Sequence, residues 1–377
     1  MRKVESIKLK PWLATLLKVI GIILFILLCI FAYYRIQINS LKKLDYSEEA
    51  SNKILFSGKK KYVLSVGKRK TLNEAFESKY YDEKYLDNYT KIKYVDQKHF
   101  IQNINKLVDL DYSNNDINII FSHGTDESVT EFTKRDKVHY LEEYFSYDYA
   151  KLENYDRYVA YSDLYGTDEE DTIVRVNLNL DKTPYEDYVT IDKFSADMLV
   201  NKYRKLADDF VPSDLTTIDI KYTDNEDDLQ CSRLTLNAFI EMYKAAEKEG
   251  YSIFINSAYR SVEDQQELID LYTKSYGTSY VEKYVAKIGF SEHQTGLGLD
   301  IGSRKSQIFA NSSEYQWMLD NAYKYGFILR YDKRYEDITG FRREAWHYRY
   351  VGKDIAKYIY EHNNMPLEEY YVMFLDK

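Results

Sequence analysis

Apolar and polar positions fall into three regimes along the chain. Residues 12–34 are apolar except for Thr15 and Lys18. The unbroken run 19–34 is short of the roughly 20 residues that span a bilayer, but with 13–17 it reaches that length if Lys18 snorkels. Residues 35–52 turn polar and read as a stalk. Residues 53–190 are acidic and Tyr-rich, with mostly helical patterning. A degenerate repeat runs through them: Tyr85-Leu86, Tyr89, Tyr112 and Asp116-Ile-Asn-Ile-Ile120 are echoed by Leu152, Tyr155, Tyr165 and Asp171-Thr-Ile-Val174. Two small helical hairpins would account for it.

Past about residue 190 the period switches repeatedly. Leu234, Leu236, Phe239, Ile240, Tyr243 and Ala246 share one helical face, and Gly250 ends that helix. The apolar run 251–255 predicts a buried strand leading into a helix over 262–276. Leu297, Leu299 and Ile301 alternate with Gly298 and Asp300, a strand signature that turns Asp300 away from the apolar row. Residues 346–351 are aromatic and β-branched and predict another strand, with His347 and Arg349 on one face and Trp346, Tyr348 and Tyr350 on the other. A helix is expected around 313–325, stopped by Gly326, and a closing helix over 354–361. Helices between few, widely spaced strands predict an α+β domain with a small antiparallel sheet flanked by helices.

Composition and charge narrow the function. The 377-residue chain has a net charge of −9, and residues 1–43 hold eight Lys or Arg against one Glu, so the remainder is strongly acidic. That argues against nucleic acid as a partner. Arg2, Lys3, Lys8 and Lys10 precede the apolar run and fit a cytoplasmic N-terminus, although Lys42 and Lys43 follow it. A cleaved signal peptide is the rival reading, but Phe31-Ala-Tyr-Tyr lacks a small-x-small cleavage site. A lipoprotein reading through Cys29 is poor because Leu28 is bulky. An uncleaved single-pass anchor is expected, with residues 35–377 outside the cell. Cys29 lies in that anchor and Cys231 stands alone, so no intrachain disulfide is expected.

Three segments carry candidate chemistry. Ser291-Glu-His-Gln-Thr-Gly-Leu-Gly-Leu-Asp300 and Glu344-Ala-Trp-His347 supply His293, Asp300 and His347, three ligands for a zinc with an open fourth position, and Glu344 as a carboxylate to work on water there. Gly298, on the face of Asp300, leaves room for the metal. In a straight strand Glu344 would point away from His347, so it must sit in a turn or twist. The third segment, Asn256-Ser-Ala-Tyr-Arg260-Ser261-Val-Glu-Asp-Gln265, crosses a strand-to-helix junction. Arg260 there suits an oxyanion or carboxylate, with a structural salt bridge as the alternative. Ser261 fits a helix N-cap as well as a substrate contact. His99, His123, His139 and His362 lack partners at ligand spacing.

These segments resemble the VanY-type D-alanyl-D-alanine carboxypeptidases, which share a zinc peptidase group with lysostaphin-like enzymes and the Hedgehog signalling domain. The shared pattern is Ser-x-His-x-x-Gly-x-x-x-Asp followed by Glu-x-x-His, with the Tyr259-Arg260-Ser261 and Gln265 arm ahead of it. Leu199-Val-Asn-Lys-Tyr-Arg-Lys-Leu206 and Val211-Pro-Ser-Asp-Leu215 resemble the opening of such domains. Gly298 replaces the usual Ala and Tyr348 the common Trp. The resemblance implies Zn2+ on His293, Asp300 and His347, Glu344 as general base, Arg260 steadying the oxyanion, and Ser261 and Gln265 holding the substrate's C-terminal residue. It implies peptidoglycan stem peptides as substrate and loss of a C-terminal D-alanine. A cross-link endopeptidase and a non-catalytic wall-binding scaffold are the alternatives. The expected order is a cytoplasmic tail (1–11), an anchor (12–34), a stalk (35–52), a helical accessory module (53–190) and the zinc carboxypeptidase domain (191–377).

Overall fold

The computed structural model describes residues 10–224 and 228–376. The first nine residues of the expected cytoplasmic tail lie outside the described residues. Contacts divide the chain into two compact units, one running to Phe145 and one from Ser146 onward.

The first unit opens with α1 (Pro11–Lys42), started by a proline whose missing N–H costs nothing at that position. It is long and apolar enough to cross a membrane. Its apolar side chains through Tyr33 are mostly exposed, whereas Ile38 and Leu41 are buried. The segment expected as a stalk therefore continues the helix to Lys42, turns, and enters a second helix at Glu48. Helix α1 packs on helix Glu48–Phe56 through Tyr34 Oη to Asn52 (2.5 Å) and Lys42 to Glu48 (2.9 Å). Helical hairpins follow, such as Phe100–Asp109 with Asn114–His123. One such hairpin cannot bury its apolar face alone, so each stacks on the next. Side chains bridge equivalent positions 25 to 27 residues apart: Lys93 N–H to Asn118, His99 to Asp126, Asn103 to Thr130. The repeat is thus finer than the two hairpins read from the sequence.

The second unit starts with one more hairpin, Tyr155–Tyr165 and Glu169–Asn177. Val174 and Leu178 join an apolar cluster with Ile328, Val351, Ile359 and Leu367. Arg175 to Asp337 (2.6 Å) and Lys151 to Asp376 (2.9 Å) fasten it to later segments. Helix α2 (Arg233–Lys248) covers one face of a four-stranded antiparallel sheet. Its strands are β1 (Ile253–Ser257), β2 (Gly298–Ser303), β3 (Phe327–Tyr331) and β4 (Glu344–Tyr350), in the order β1-β2-β4-β3. Phe239, Met242 and Ala246 of α2 pack with Ile253, Ile255, Leu299, Ile301, Phe327 and Tyr348. This is the expected α+β architecture. Because strand side chains alternate, the pairs Phe254↔Gly302, Asp300↔His347 and Gly298↔Arg349 lie on the opposite face.

Two sequence readings change. The helix expected to close the chain, α3 (Lys353–Glu361), is followed by α4 (Leu367–Tyr370), which buries Leu367 and Glu368 because Glu368 has ionic partners inside. Trp346, expected on the core face with Tyr348 and Tyr350, is 44% exposed. The cause is a bulge: β3 and β4 pair Leu329↔Tyr348 and then Tyr331↔Glu344, so β4 spends two extra residues there.

Candidate active site

The turn between residues 291 and 296 is built from local hydrogen bonds. Ser291 Oγ accepts from the His293 N–H (3.3 Å), and Thr295 Oγ1 donates to the Glu292 carbonyl (2.5 Å). Gly296 has φ +67°, and a Cβ there would come within 2.8 Å of the Ser232 nitrogen. The turn delivers His293 beside β2 and β4. His293 Nε2 lies 3.5 Å and His347 Nδ1 lies 3.1 Å from Asp300 Oδ1. One donor atom from each of His293, Asp300 and His347 lies within 4.8 Å of the others. A Cβ at Gly298 would sit 3.1 Å from the His347 ring, so the small residue makes room for a ligand side chain.

The far nitrogens of both rings are engaged. His293 Nδ1 is 2.6 Å from the Ala258 carbonyl, and His347 Nε2 is 3.2 Å from Glu292 Oε2. Each contact orients its ring and turns the other nitrogen toward Asp300, where it can ligate once unprotonated. The β4 bulge answers the orientation problem at Glu344: its Oε2 is 3.9 Å from His347 Nδ1. These groups line a cleft of about 240 Å³ with Arg260, Gln265, Tyr272, Tyr280 and Arg343. Arg260 donates to Gln265 Oε1 (2.9 Å) and Ser257 Oγ (3.3 Å), and its own N–H donates to the His293 carbonyl (3.2 Å). Gln265 is buried and donates to the Ala286 carbonyl (2.7 Å), so it braces Arg260 at one end and the chain at the other. Ser261 caps the helix Val262–Tyr276: its Oγ accepts from the Asp264 N–H (3.1 Å) and donates to the Asp264 carboxylate (2.8 Å). It is not among the residues lining the cleft.

Comparison with known proteins fits this arrangement. The family described as "VanY: D-alanyl-D-alanine carboxypeptidase" matches residues 229–353. YodJ of Bacillus subtilis is 41% identical over 181 residues, covering 46% of this chain and 66% of that protein. A D-alanyl-D-alanine carboxypeptidase of Enterococcus faecalis is 39% identical over 140 residues, covering 34% of this chain and 51% of that one. The structure of a vancomycin-resistance D,D-pentapeptidase VanY with Zn(II) is 32% identical, with 46% of this chain and 98% of that chain covered and a TM-score of 0.41. The chain belongs to the VanY family. The chain spans about half to two thirds of the length of the curated relatives above.

In this VanY-family chain, the electrostatics of the cluster suit a cation. Burial pushes the Asp300 carboxyl up, but His293 and His347 outweigh it and hold the group well below the usual carboxylate range. Burial lowers His293, and Arg260 adds to that. Burial also works against charge on His347, yet hydrogen bonds to Asp300 and Glu292 raise it to about 9. Burial pushes Glu344 up to about 7. A zinc with bonds of about 2.0–2.1 Å in tetrahedral geometry needs donors about 3.3 Å apart. The 3.1 and 3.5 Å separations bracket that spacing. Two imidazoles and one ionised carboxylate are zinc donors, so the residues fit the ion.

Sequence reasoning missed the support beneath the ligands. Glu292 is fully enclosed and accepts from Arg330 Nε (2.7 Å) and Arg349 Nη1 (3.0 Å). Arg330 makes a bidentate pair with Glu368 (2.6 and 2.8 Å), and Arg349 donates to the Met198 carbonyl (2.7 Å). Two guanidinium groups balance two carboxylates, in a network joining Met198, Glu292, Arg330, Arg349 and Glu368 from five chain segments. A lone Arg in the apolar strand Phe-Ile-Leu-Arg330-Tyr was the available signal, since a charge there needs a buried partner.

Proposed function

We propose that this protein is a zinc carboxypeptidase that removes a C-terminal D-alanine from peptidoglycan stem peptides. The observation that carries the reading is the placement of the Glu344 carboxylate at the edge of the His293–Asp300–His347 cluster, in a cleft that also holds Arg260. His293 Nε2, Asp300 Oδ1 and His347 Nδ1 would hold the ion. Zinc bound there supplies Lewis-acid chemistry that makes water nucleophilic near neutral pH. Glu344 takes a proton from the attacking water as the new C–O bond forms. Arg260 donates toward the carbonyl oxygen as it gains negative charge. Glu344 then gives the proton to the departing amine as the C–N bond breaks. Membership of the VanY family supports the reaction class.

Residues 12–34 would anchor the chain in the membrane as a single pass, with the cytoplasmic tail before them. The hairpin module and the catalytic domain of residues 191–377 would lie outside the cell. The reading is tested by incubating the zinc-loaded full chain with a stem pentapeptide. Release of free D-alanine by wild type and its absence with His293→Ala is the expected result; no release by wild type overturns it.

A further inference from the structure

A second, larger cleft of about 800 Å³ adjoins the candidate active site, and Trp346 lines both. Its size lies within the range of ligand sites, about 300–1,000 Å³. Its floor is Gly302 against the buried Phe254 ring, which pair across β1 and β2 on the same sheet face as Asp300 and His347, with the Arg304 guanidinium lying over that ring. Gly302 is what flattens that floor: an added Cβ would overlap the Phe254 ring. The rim carries Asn256, Gln307 and Ile308, all exposed, with Ile308 at 61%, and the exposed charges of Asp224, Arg304 and Lys305. A rim of amides and charges beside an aliphatic edge suits a peptide.

Strand topology explains why the clefts join here. β2 and β4 pair only from Gly298↔Arg349 to Asp300↔His347. Beyond the ligands, β2 continues along β1 to Ser303, while β4 continues along β3 to Glu344. The strands part, and Trp346 stands in the opening. Successive residues of a regular strand point their main-chain groups to alternate edges, so one of Ile301 and Gly302 on β2 turns toward the gap, past the last β2–β4 pair. Such inner edges accept an extended peptide by backbone hydrogen bonding.

From this geometry we infer that the larger cleft holds the part of the substrate on the amino side of the scissile bond, lying over Trp346. The inference rests on the carboxypeptidase reading: a single small residue leaves from the 240 Å³ cleft, and the longer acyl portion takes the 800 Å³ one. A third cleft beyond Phe341, lined by Lys202 and Lys283 among others, is the competing exit.

The test compares N-acetyl-D-Ala-D-Ala with a stem pentapeptide on the zinc-loaded full chain. Wild type should prefer the pentapeptide roughly tenfold or more in kcat/KM, through KM, as a Trp-centred contact warrants. The double variant Gln307→Ala/Ile308→Asp should bring that ratio near one, and Lys283→Glu should keep it. Equal kcat/KM for both peptides in wild type, survival of the ratio in the double variant, or its loss in Lys283→Glu would overturn the inference. Calorimetric titration with the stem tetrapeptide product needs no turnover. Wild type should bind it roughly tenfold more tightly than the double variant, and equal binding overturns the inference. Binding of that fragment without cleavage of any peptide would reject the carboxypeptidase reading and leave the cleft assignment standing.

Discussion

Replacing Glu292 with Gln keeps the shape of the side chain and removes its charge and one acceptor. In wild type, Oε1 serves Arg330 and Arg349, and Oε2 serves His347 Nε2. A Gln has one acceptor oxygen. If it serves the two arginines, its NH2 faces His347 Nε2, which must then accept, and the imidazole proton moves to Nδ1. That is the atom turned toward Asp300 and needed for the ion. Breaking a buried ion pair by removing one partner costs about 3–5 kcal/mol. Arg330 keeps its bidentate pair with Glu368, so the loss should fall near the lower end, about 3 kcal/mol. Against a typical stability of about 5–15 kcal/mol, the variant still folds. Loss of a ligand-orienting partner weakens metal binding about 10- to 100-fold. Chelator competition on the folded variant measures zinc affinity, and urea unfolding of the metal-free protein measures the stability change. Wild-type zinc affinity together with an unfolding change below about 0.5 kcal/mol, the level of an ordinary surface substitution, would refute the orienting role.

Three other outcomes follow from the site. Glu344→Gln should retain zinc and lose roughly 10²–10⁴ in turnover, the usual worth of a general base; loss of zinc by elemental analysis would make Glu344 a ligand. His347 holds its proton up to about pH 9 in the metal-free protein. Ligation needs Nδ1 bare, so apparent zinc affinity should rise about tenfold per pH unit from 6.5 to 8.5 and level off above about 9. Chelator competition across that range reads it, and a flat profile would contradict it. Amidating the peptide's C-terminus removes a charge-assisted hydrogen bond worth about 1.5–3 kcal/mol, so cleavage should fall roughly ten- to more than a hundredfold in kcat/KM. Equal cleavage of free and amidated peptides would favour an endopeptidase.

The sequence made the His293, Asp300 and His347 cluster legible because metal ligation demands particular side chains and two short segments supply them all. It made Arg260 visible through its place at a strand-to-helix junction. The orientation of Glu344 was not legible, because strand alternation gives the wrong face and only the β4 bulge corrects it. The same bulge moved Trp346 from the expected core into the cleft. Glu292 sat inside the ligand motif unread, since its partners Arg330, Arg349 and Glu368 come from distant parts of the chain that only tertiary packing joins. The hairpin module showed its helical period but not its full repeat, because Asn and Asp bridges, more than a fixed apolar motif, mark each unit. The α+β architecture followed from alternating periods, which local sequence does encode.

The most direct measurement of the central claim is mass spectrometry of a stem pentapeptide incubated with the zinc-loaded full chain, beside the chelated protein and Glu344→Gln. The zinc-loaded protein should remove a single terminal D-alanine, and the other two should leave the peptide intact or trim it far more slowly. A peptide left intact by the zinc-loaded protein, or trimmed equally by the chelated one, would contradict that claim.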